Sequence, residues 1–441
     1  MAEVRRHKTE PLESLRVAKE LRRKCFEDYL KAKERGGIRV SGSAAMLYAV
    51  PMGLGEDVYI LPGEPYGARV SALTDFSLKC MEAVEREGFS RELCAYMRNY
   101  WGSLLLNKFI LPDGTIIDGW PKADIYWTPH YCCEHAGWYR NAAEMGGDGT
   151  LFGLDMNIGF KEERLYYPAQ QILELIEGME KVTGREYKDE LFIEAAKNEC
   201  QSNSLWGEIC AYQKNIPAPL DELTLFSLYI VAIHSPHRKE TVDFLLHLRD
   251  EIEDRVKRGI TTLPIERYRI MLTEPQPPWP YVYQIWRYLE RKYYAIPIGS
   301  LHSFFLGGSL IEDGEGNVVP QKFFEEKWEG VADREKAIYN YLKFKLYWTE
   351  VYLLRSGSLA RRFSFNKKIF KQWHADFVFI HLNSGCEATC LSQPELRSAL
   401  MEEGIPVLSF EGSMADYREI NVRRIINQID TLFEGLGVRK R

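Results

Sequence analysis

The segment 377–435 constrains the fold of this chain more than any other. Phe377 to His381 (FVFIH) reads as a buried strand, Leu382 to Cys390 (LNSGCEATC) as a loop, 392–403 as a helix, IPVLSF as a second strand and 418–435 as a closing helix. A strand, a crossover helix and a second strand in succession predict a βαβ unit, and with it a parallel sheet. Asp124 to Arg140, DIYWTPHYCCEHAGWYR, has a related pattern. There a short buried strand (Ile125, Tyr126, Trp127) is broken by Thr128-Pro129, and two adjacent cysteines precede the opening turns of a helix carrying His135, Trp138 and Tyr139. Ligands of open α/β sheets bind where the chain leaves the carboxyl end of a strand, because loops can be shaped there without disturbing the core. Cys132 with Cys133, and Cys386, stand at such exits.

The remaining pattern predicts an α/β protein with two Rossmann-like parallel-sheet domains and an additional helical subdomain. Residues 10–36 are helix-forming and charge-rich with Gly36-Gly37 as a stop, Val58 to Ile60 is strand-like, and 70–110 look helical. Leu151 to Met156 resembles a strand, followed by helical patterns at 165–183, 188–214, 219–234 and 239–259 with no strand between them. Alternation resumes with RYRIML as a strand, a proline-rich lead (TEPQPPW) into an amphipathic helix, a strand at Ala295 to Ile298 and a helix around 335–350. The expected division is 1–185 (an N-terminal helical arm plus the first α/β domain), 186–265 (a helical subdomain) and 266–441 (a C-terminal α/β domain).

Composition excludes several classes. A length of 441 residues with 45% hydrophobic content suits two or three cores rather than one. A net charge of −6 and a pI near 6.0 leave no basic footprint for nucleic acid. The opening MAEVRRHKTEPLESLR has no apolar signal core, and no run of about 18 apolar residues occurs, so a soluble, cytoplasmic protein without a membrane role is expected. Gly53-x-Gly55 lacks the third glycine and the leading strand of a dinucleotide fingerprint, and no G-x-x-x-x-G-K-[ST] loop is present.

The nine cysteines are scattered rather than arranged as a dense disulfide framework. Cys25, Cys80, Cys200 and Cys210 fall in helical patterns and read as core. Cys94, in SRELCAYMRNYWG, falls near a helix start, with Ser90 and Leu93 as cap and first turn; a thiol there is expected to have a lowered pKa. Each thiol, taken alone, also reads as packing, Cys94 with Met97 and Trp101. Two strand exits and a helix start together fit a metal or iron–sulfur centre held between domains, taking Cys94, one of Cys132 and Cys133, and Cys386, with Cys390 nearby as an alternate. Ferredoxins differ in taking their ligands from one local run, and structural zinc usually adds a short CxxC pair, which is absent here. His130, His135 and His381 lie beside these cysteines as candidate proton donors, or as hydrogen-bonded partners. Glu134 and Glu387 read as solvated or capping residues.

SRELCAYMRNYWG, TPHYCCEHAGWY, TEPQPPW, HLNSGCEA and the C-terminal GIPVLSFEGSMADYREIN together resemble the 2-hydroxyacyl-CoA dehydratase D-component family. The resemblance covers nearly the whole chain. SGSAAMLYAVPMGLGEDVY and GEPYGA point within that family toward the larger subunit of ATP-dependent benzoyl-CoA reductases. The resemblance implies one 4Fe-4S cluster per chain on Cys94, Cys132 and Cys386, with Cys132 preferred to Cys133 because Trp138 follows it by six residues. It implies a smaller paralogous cluster-bearing subunit, an ATP-hydrolysing activator with its own cluster, and ferredoxin as electron donor. The implied reaction is two-electron reduction of benzoyl-CoA, or a substituted analogue, to cyclohexa-1,5-diene-1-carbonyl-CoA. The alternatives are a radical (R)-2-hydroxyacyl-CoA dehydratase and a non-catalytic electron relay. Ser384, where the family commonly has Arg, and Cys390, where it has a Ser-like residue, depart from the pattern.

Overall fold

A computed structural model describes residues 6–43, 47–130, 132–156, 161–273, 279–305, 309–346, 359–386 and 390–438. Two four-stranded sheets, parallel throughout, form its frame. The first holds β1 (Ile38–Gly42), β2 (Val58–Pro62), β3 (Ile125–His130) and β4 (Thr150–Asp155) in the order β2-β1-β3-β4. The second holds β5 (Tyr268–Leu272), β6 (Ala295–Ser300), β7 (Phe377–Asn383) and β8 (Val407–Gly412) in the order β6-β5-β7-β8. The two orders are the same when strands are counted from the start of each sheet. In both, the first strand lies between the second and the third, so the winding reverses there and the loops above that point diverge into a crevice. Helices cover both faces of a parallel sheet, which is why β3, β6 and β7 are almost continuously apolar rather than alternating.

The expected α/β class with parallel sheets holds, and the helices Tyr166–Thr183, Asp189–Tyr212, Glu222–His234 and Lys239–Arg258 fall within a few residues of their sequence patterns. Asp189–Tyr212 is buried on several sides, packing against Ala49–Met52, Lys239–Arg258 and Arg334–Lys345. Its fully buried Glu199 is neutralised by Lys345 Nζ at 2.8 Å and hydrogen-bonded by Tyr341, as a buried carboxylate requires. One apolar core runs from Val40 and Trp127 in the first sheet, through this helix, to Met271, Ile296 and Ile380 in the second. The N-terminal arm is stitched onto the same helices. Lys8–Thr9 pairs with Ile260–Thr261, and Ser14–Lys31 packs on Glu222–His234 and Lys239–Arg258, with Ser14 N donating to Glu251 at 3.0 Å.

The stretch 70–110 is not one helical run. It divides into Thr74–Arg86 and Ala95–Leu105, followed by the short strand Lys108–Ile110. Gly88, in the left-handed region at φ +89°, ends the first helix, and Cys94 is non-helical at φ −46°, ψ 122°. The proline-rich 274–278 lies outside the described residues. No helix among the described residues is long and apolar enough to cross a membrane.

Candidate functional site

Three thiols reach one neighbourhood by three routes. Cys94 is the N-cap of Ala95–Leu105. Cys132 follows the end of β3 by two residues and is the N-cap of Cys133–Gly146, its Sγ accepting from His135 N at 3.4 Å. Cys386 follows the end of β7 by three residues; β7 is the third strand of its sheet, as β3 is of its own. Two contacts draw the segments together. Glu134 Oε2 accepts from Cys94 N at 3.0 Å, so the acid in the helix begun by Cys132 caps the turn bearing Cys94. Gly385 has φ +74°, and a Cβ there would stand 2.7 Å from Glu92 O and 2.8 Å from Leu93 O. Only glycine lets the Cys386 loop rest on that backbone.

The environment is apolar, with Met97, Trp101, Trp138 and Met414 in the buried cluster that holds Cys94. Burial pushes the Cys94 thiol well up, and Cys386 and Glu134 push it further. Burial also raises Cys132, opposed by the His135 N–H and reinforced by Cys386 and Cys94. The lowered pKa expected for Cys94 is therefore not found: a cap position helps a thiolate, but desolvation here outweighs it. Ser90 does not cap this helix; its Oγ accepts from Glu92 N at 3.1 Å.

Of the alternates, Cys133 is exposed, and Cys390 Sγ lies 3.0 Å from both N and O of Asn383, engaged with its own loop. Glu387 lies outside the described residues. The donor set suits the implied cluster. It is all sulfur, with Cys94 and Cys132 buried and Cys386 half-buried, and two of its three members sit at helix N-termini, where partial positive charge favours anionic ligands. Among the described residues no three His, Cys, Asp or Glu side chains converge as one ion would need. A single zinc holds its ligands about 2.0–2.3 Å from one centre, whereas a polynuclear cluster takes each thiolate on a different iron.

The three candidate histidines separate. His135 is buried, with Nδ1 2.7 Å from Ser43 Oγ and Nε2 2.6 Å from Glu64 Oε1, while Tyr139 donates to Gly42 O at 2.6 Å and lies 3.4 Å from Glu64 Oε2. His130 is half-buried, with Nδ1 3.6 Å from Asp155 Oδ1. His381 is fully buried and stacked on Phe410 at 5.1 Å. His135 joins a polar chain beside the thiols. Ser43 and Glu64 escaped the sequence reading, although each stands just past a strand (β1 and β2), and the exit rule applied to the cysteines would have found them. His302 lies just past β6 on the opposite sheet and feels Glu64; burial pushes it down to about 4 with Glu64 pulling the other way. The carboxyl ends of both sheets therefore face one crevice.

A buried ion pair holds the crevice closed on the Cys94 side. Arg98 Nη1 lies 3.1 Å from Asp416 Oδ2, with both side chains almost fully buried, and Arg418 bridges Asp416 to Glu85. Burial alone would raise Asp416, but its hydrogen bonds with Arg418 and the charge of Arg98 hold it below the usual range.

Doubled parallel sheets with three thiols gathered between them define an α/β protein whose candidate site is assembled from both halves of the chain. Residues 57–436 match the family model 2-hydroxyglutaryl-CoA dehydratase, D-component, and the chain belongs to that family. It is similar to the (R)-2-hydroxyisocaproyl-CoA dehydratase alpha subunit of Clostridioides difficile, 26% identical over 98% of each chain. It is 24% identical to the (R)-phenyllactyl-CoA dehydratase alpha subunit of Clostridium sporogenes, over 92% of this chain and 91% of that one. It is also 24% identical to the (R)-2-hydroxyglutaryl-CoA dehydratase subunit alpha of Acidaminococcus fermentans, over 62% of this chain and 51% of that one. These relatives are dehydratase subunits, so the expected closeness to benzoyl-CoA reductases, and the oxidoreductase class that went with it, are not supported.

Proposed function

We propose that this chain is the alpha-type, cluster-bearing subunit of a radical (R)-2-hydroxyacyl-CoA dehydratase, a lyase that removes water across C2 and C3 of an acyl-CoA. The observation that carries the reading is the gathering of Cys94, Cys132 and Cys386 beside the Ser43–His135–Glu64 chain, at the carboxyl ends of two sheets. Likeness to dehydratase alpha subunits over 92–98% of the chain favours this reaction over ring reduction. Cys94, Cys132 and Cys386 would hold a 4Fe-4S cluster, which would supply one-electron chemistry. The protein residues supply the proton handling. A hydroxyl at C2 leaves as water only if protonated, and Nε2 of His135, shared with Glu64 at 2.6 Å, can carry that proton while Ser43 fixes the ring from Nδ1. Tyr139, anchored on Gly42 O, stands beside Glu64, and the apolar surroundings keep bulk water from a reactive intermediate. With no phosphate-binding loop in the chain, ATP hydrolysis belongs to a separate activator fed by ferredoxin, and a smaller paralogue completes the complex.

The test is anaerobic iron and sulfide analysis of the wild type and of Cys94→Ala, Cys132→Ala and Cys386→Ala, followed by turnover with partner and activator subunits. About four irons per chain in the wild type, iron loss in each variant, and conversion of a 2-hydroxyacyl-CoA but not of benzoyl-CoA support the reading. Full iron in all three variants refutes the ligand set, and reduction of benzoyl-CoA refutes the dehydratase.

A further inference from the structure

The helix Glu222–His234 packs against both β2 and β6, the strands that lead to Glu64 and to His302. It therefore joins the two sheets beside the crevice. Tyr229 lies on this helix, 1% exposed, with its ring 5.6 Å from Phe226, 5.8 Å from Trp206 and edge-on at 5.6 Å to His302. Aromatic packing accounts for the ring but not for the hydroxyl. The Tyr229 hydroxyl is fully buried and has no hydrogen-bond partner among the described residues. The large majority of buried side-chain polar groups have one, because an unpaired O–H in apolar surroundings carries its full desolvation cost. This hydroxyl feels the charges of Glu64, Tyr96, Cys210 and Glu222, and Tyr96 in turn feels Cys94, Cys386 and Glu64. It thus belongs to the neighbourhood of the thiols and of the His135–Glu64 pair. Both carboxylates that it feels are engaged with other groups, Glu64 with His135 at 2.6 Å and Glu222 with Ser303 at 3.4 Å. Burial, reinforced by these negative charges, pushes the phenol well up, so it stays protonated and is available as a donor.

We infer that Tyr229 is a catalytic residue whose hydroxyl donates a hydrogen bond to the carbonyl oxygen of the bound thioester. The inference rests on the dehydratase reading for the identity of the substrate. In a 2-hydroxyacyl thioester the carbonyl carbon is bonded directly to the carbon that bears the hydroxyl. A C2 hydroxyl handled by His135 and Glu64 therefore brings the carbonyl into the same neighbourhood. A carbonyl oxygen can only accept, and a protonated phenol without an acceptor is its complement. When a thioester takes up one electron, negative charge gathers on that oxygen, and a donor already in place in an apolar site stabilises the charge without reorganisation. The electron comes from the ferredoxin-fed activator, and the phenol keeps its proton throughout. A hydroxyl left unpaired by its own chain costs stability and gains an acceptor when substrate arrives, which is how a preorganised donor differs from a structural one.

The test compares the wild type with Tyr229→Phe, each as the full chain in complex with its partner subunit and reconstituted with iron under anaerobic conditions. The substitution keeps the ring and removes only the oxygen. Iron per chain should be unchanged, and Tm should hold or rise, because the oxygen removed has no partner to lose. Turnover of a 2-hydroxyacyl-CoA should fall about 10²–10³-fold in kcat with KM little changed, the range of a lost donor to developing charge. Difference Raman spectra of bound crotonyl-CoA, cinnamoyl-CoA and glutaconyl-CoA, isotope-labelled at the carbonyl, should show the C=O stretch lowered in the wild type and most of that lowering lost in the variant. No lowering in the wild type, equal lowering in both proteins, equal kcat, or a fall in Tm with loss of iron overturns the assignment while the dehydratase reading stands. If the wild type dehydrates no 2-hydroxyacyl-CoA, the two fall together.

Discussion

Replacing Gly385 by Ala tests whether the Cys386 loop is held by its contact with the Cys94 turn. Two costs combine. A non-glycine residue at φ +74° pays about 1–2 kcal/mol for the left-handed backbone. The added Cβ would also lie 2.7 Å from Glu92 O, and ordinary contact begins near 3.4 Å, so the loop must retreat by 3.4 − 2.7 = 0.7 Å. Backbone on both sides leaves no flexible side chain to give way. Gly404 provides the control: its φ is +75°, but nothing lies within 4 Å of where its Cβ would be, so Gly404→Ala carries the backbone cost alone. Both variants should lose a similar 1–2 kcal/mol in denaturant unfolding from strain. Gly385→Ala should lose more, and a displacement of this size at a ligand loop should cut iron per chain and turnover by about tenfold or more. The assays are iron and sulfide content and electron paramagnetic resonance of the reduced protein. Equal iron content in Gly385→Ala and Gly404→Ala would refute the claim that this contact sets the thiol geometry.

Arg98→Ala leaves buried Asp416 with Arg418 as its remaining cation and should cost about 1.5–3 kcal/mol of stability, the loss of a hydrogen bond between charged groups, read by denaturant unfolding; Arg98→Met with Asp416→Leu should recover part of it. His135→Gln should leave iron content intact and lower turnover by about 10²–10⁴-fold, the range of a lost proton carrier; unchanged turnover would remove His135 from the reaction. Glu222 is fully buried near Ser300 and Ser303, and burial raises its pKa from 4.5 to about 8. The folded state therefore holds a proton that the unfolded state releases above pH 4.5, and stability falls as pH rises toward 8. From pH 6.5 to 8 the loss is about 2 kcal/mol at about 1.4 kcal/mol per unit. Below pH 6.5 buried His234 and His302, pushed down to about 3 and about 4, act in the opposite sense, losing stability as pH falls. Thermal unfolding of Glu222→Gln between pH 6.5 and 8 should be nearly flat where the wild type declines.

The fold was legible wherever one period persisted over a whole element. FVFIH and IPVLSF are unbroken apolar runs bounded by loop residues, and both proved to be strands paired in parallel, Val378 opposite Val407. The four helices between 166 and 258 were equally plain because their apolar residues recur at helical spacing. The division at 87–94 was not. Helix formers stand on both sides of it, and the break comes from a left-handed Gly88 and an extended Cys94 whose N–H is satisfied by Glu134, a contact across 40 residues. Local propensity does not register a partner supplied from that far away. The aromatic stripe WPYVYQIWRYLERKYY shows the opposite case: Val282, Ile285, Trp286 and Leu289 are buried at helical spacing while Tyr283 is exposed, the amphipathic pattern the sequence displays.

The candidate site was half legible for a related reason. Cysteine is rare enough that its placement at two strand exits stands out, whereas Ser43 and Glu64 occupy the same kind of position with residues too common to attract notice. Their importance comes from the matched topology: with the same strand order in both sheets, Cys132 and Cys386 extend equivalent third strands, Glu64 extends the second strand of one sheet and His302 the second of the other. The exits of one sheet thus meet the corresponding exits of the other. Of the candidate site residues, Cys94, Cys132, Ser43, His135 and Glu64 come from the first half and Cys386 from the second. On the proposed reading activity depends on docking of the two halves, so the Arg98–Asp416 pair and the Gly385 contact, which join them, are where activity should be most easily lost.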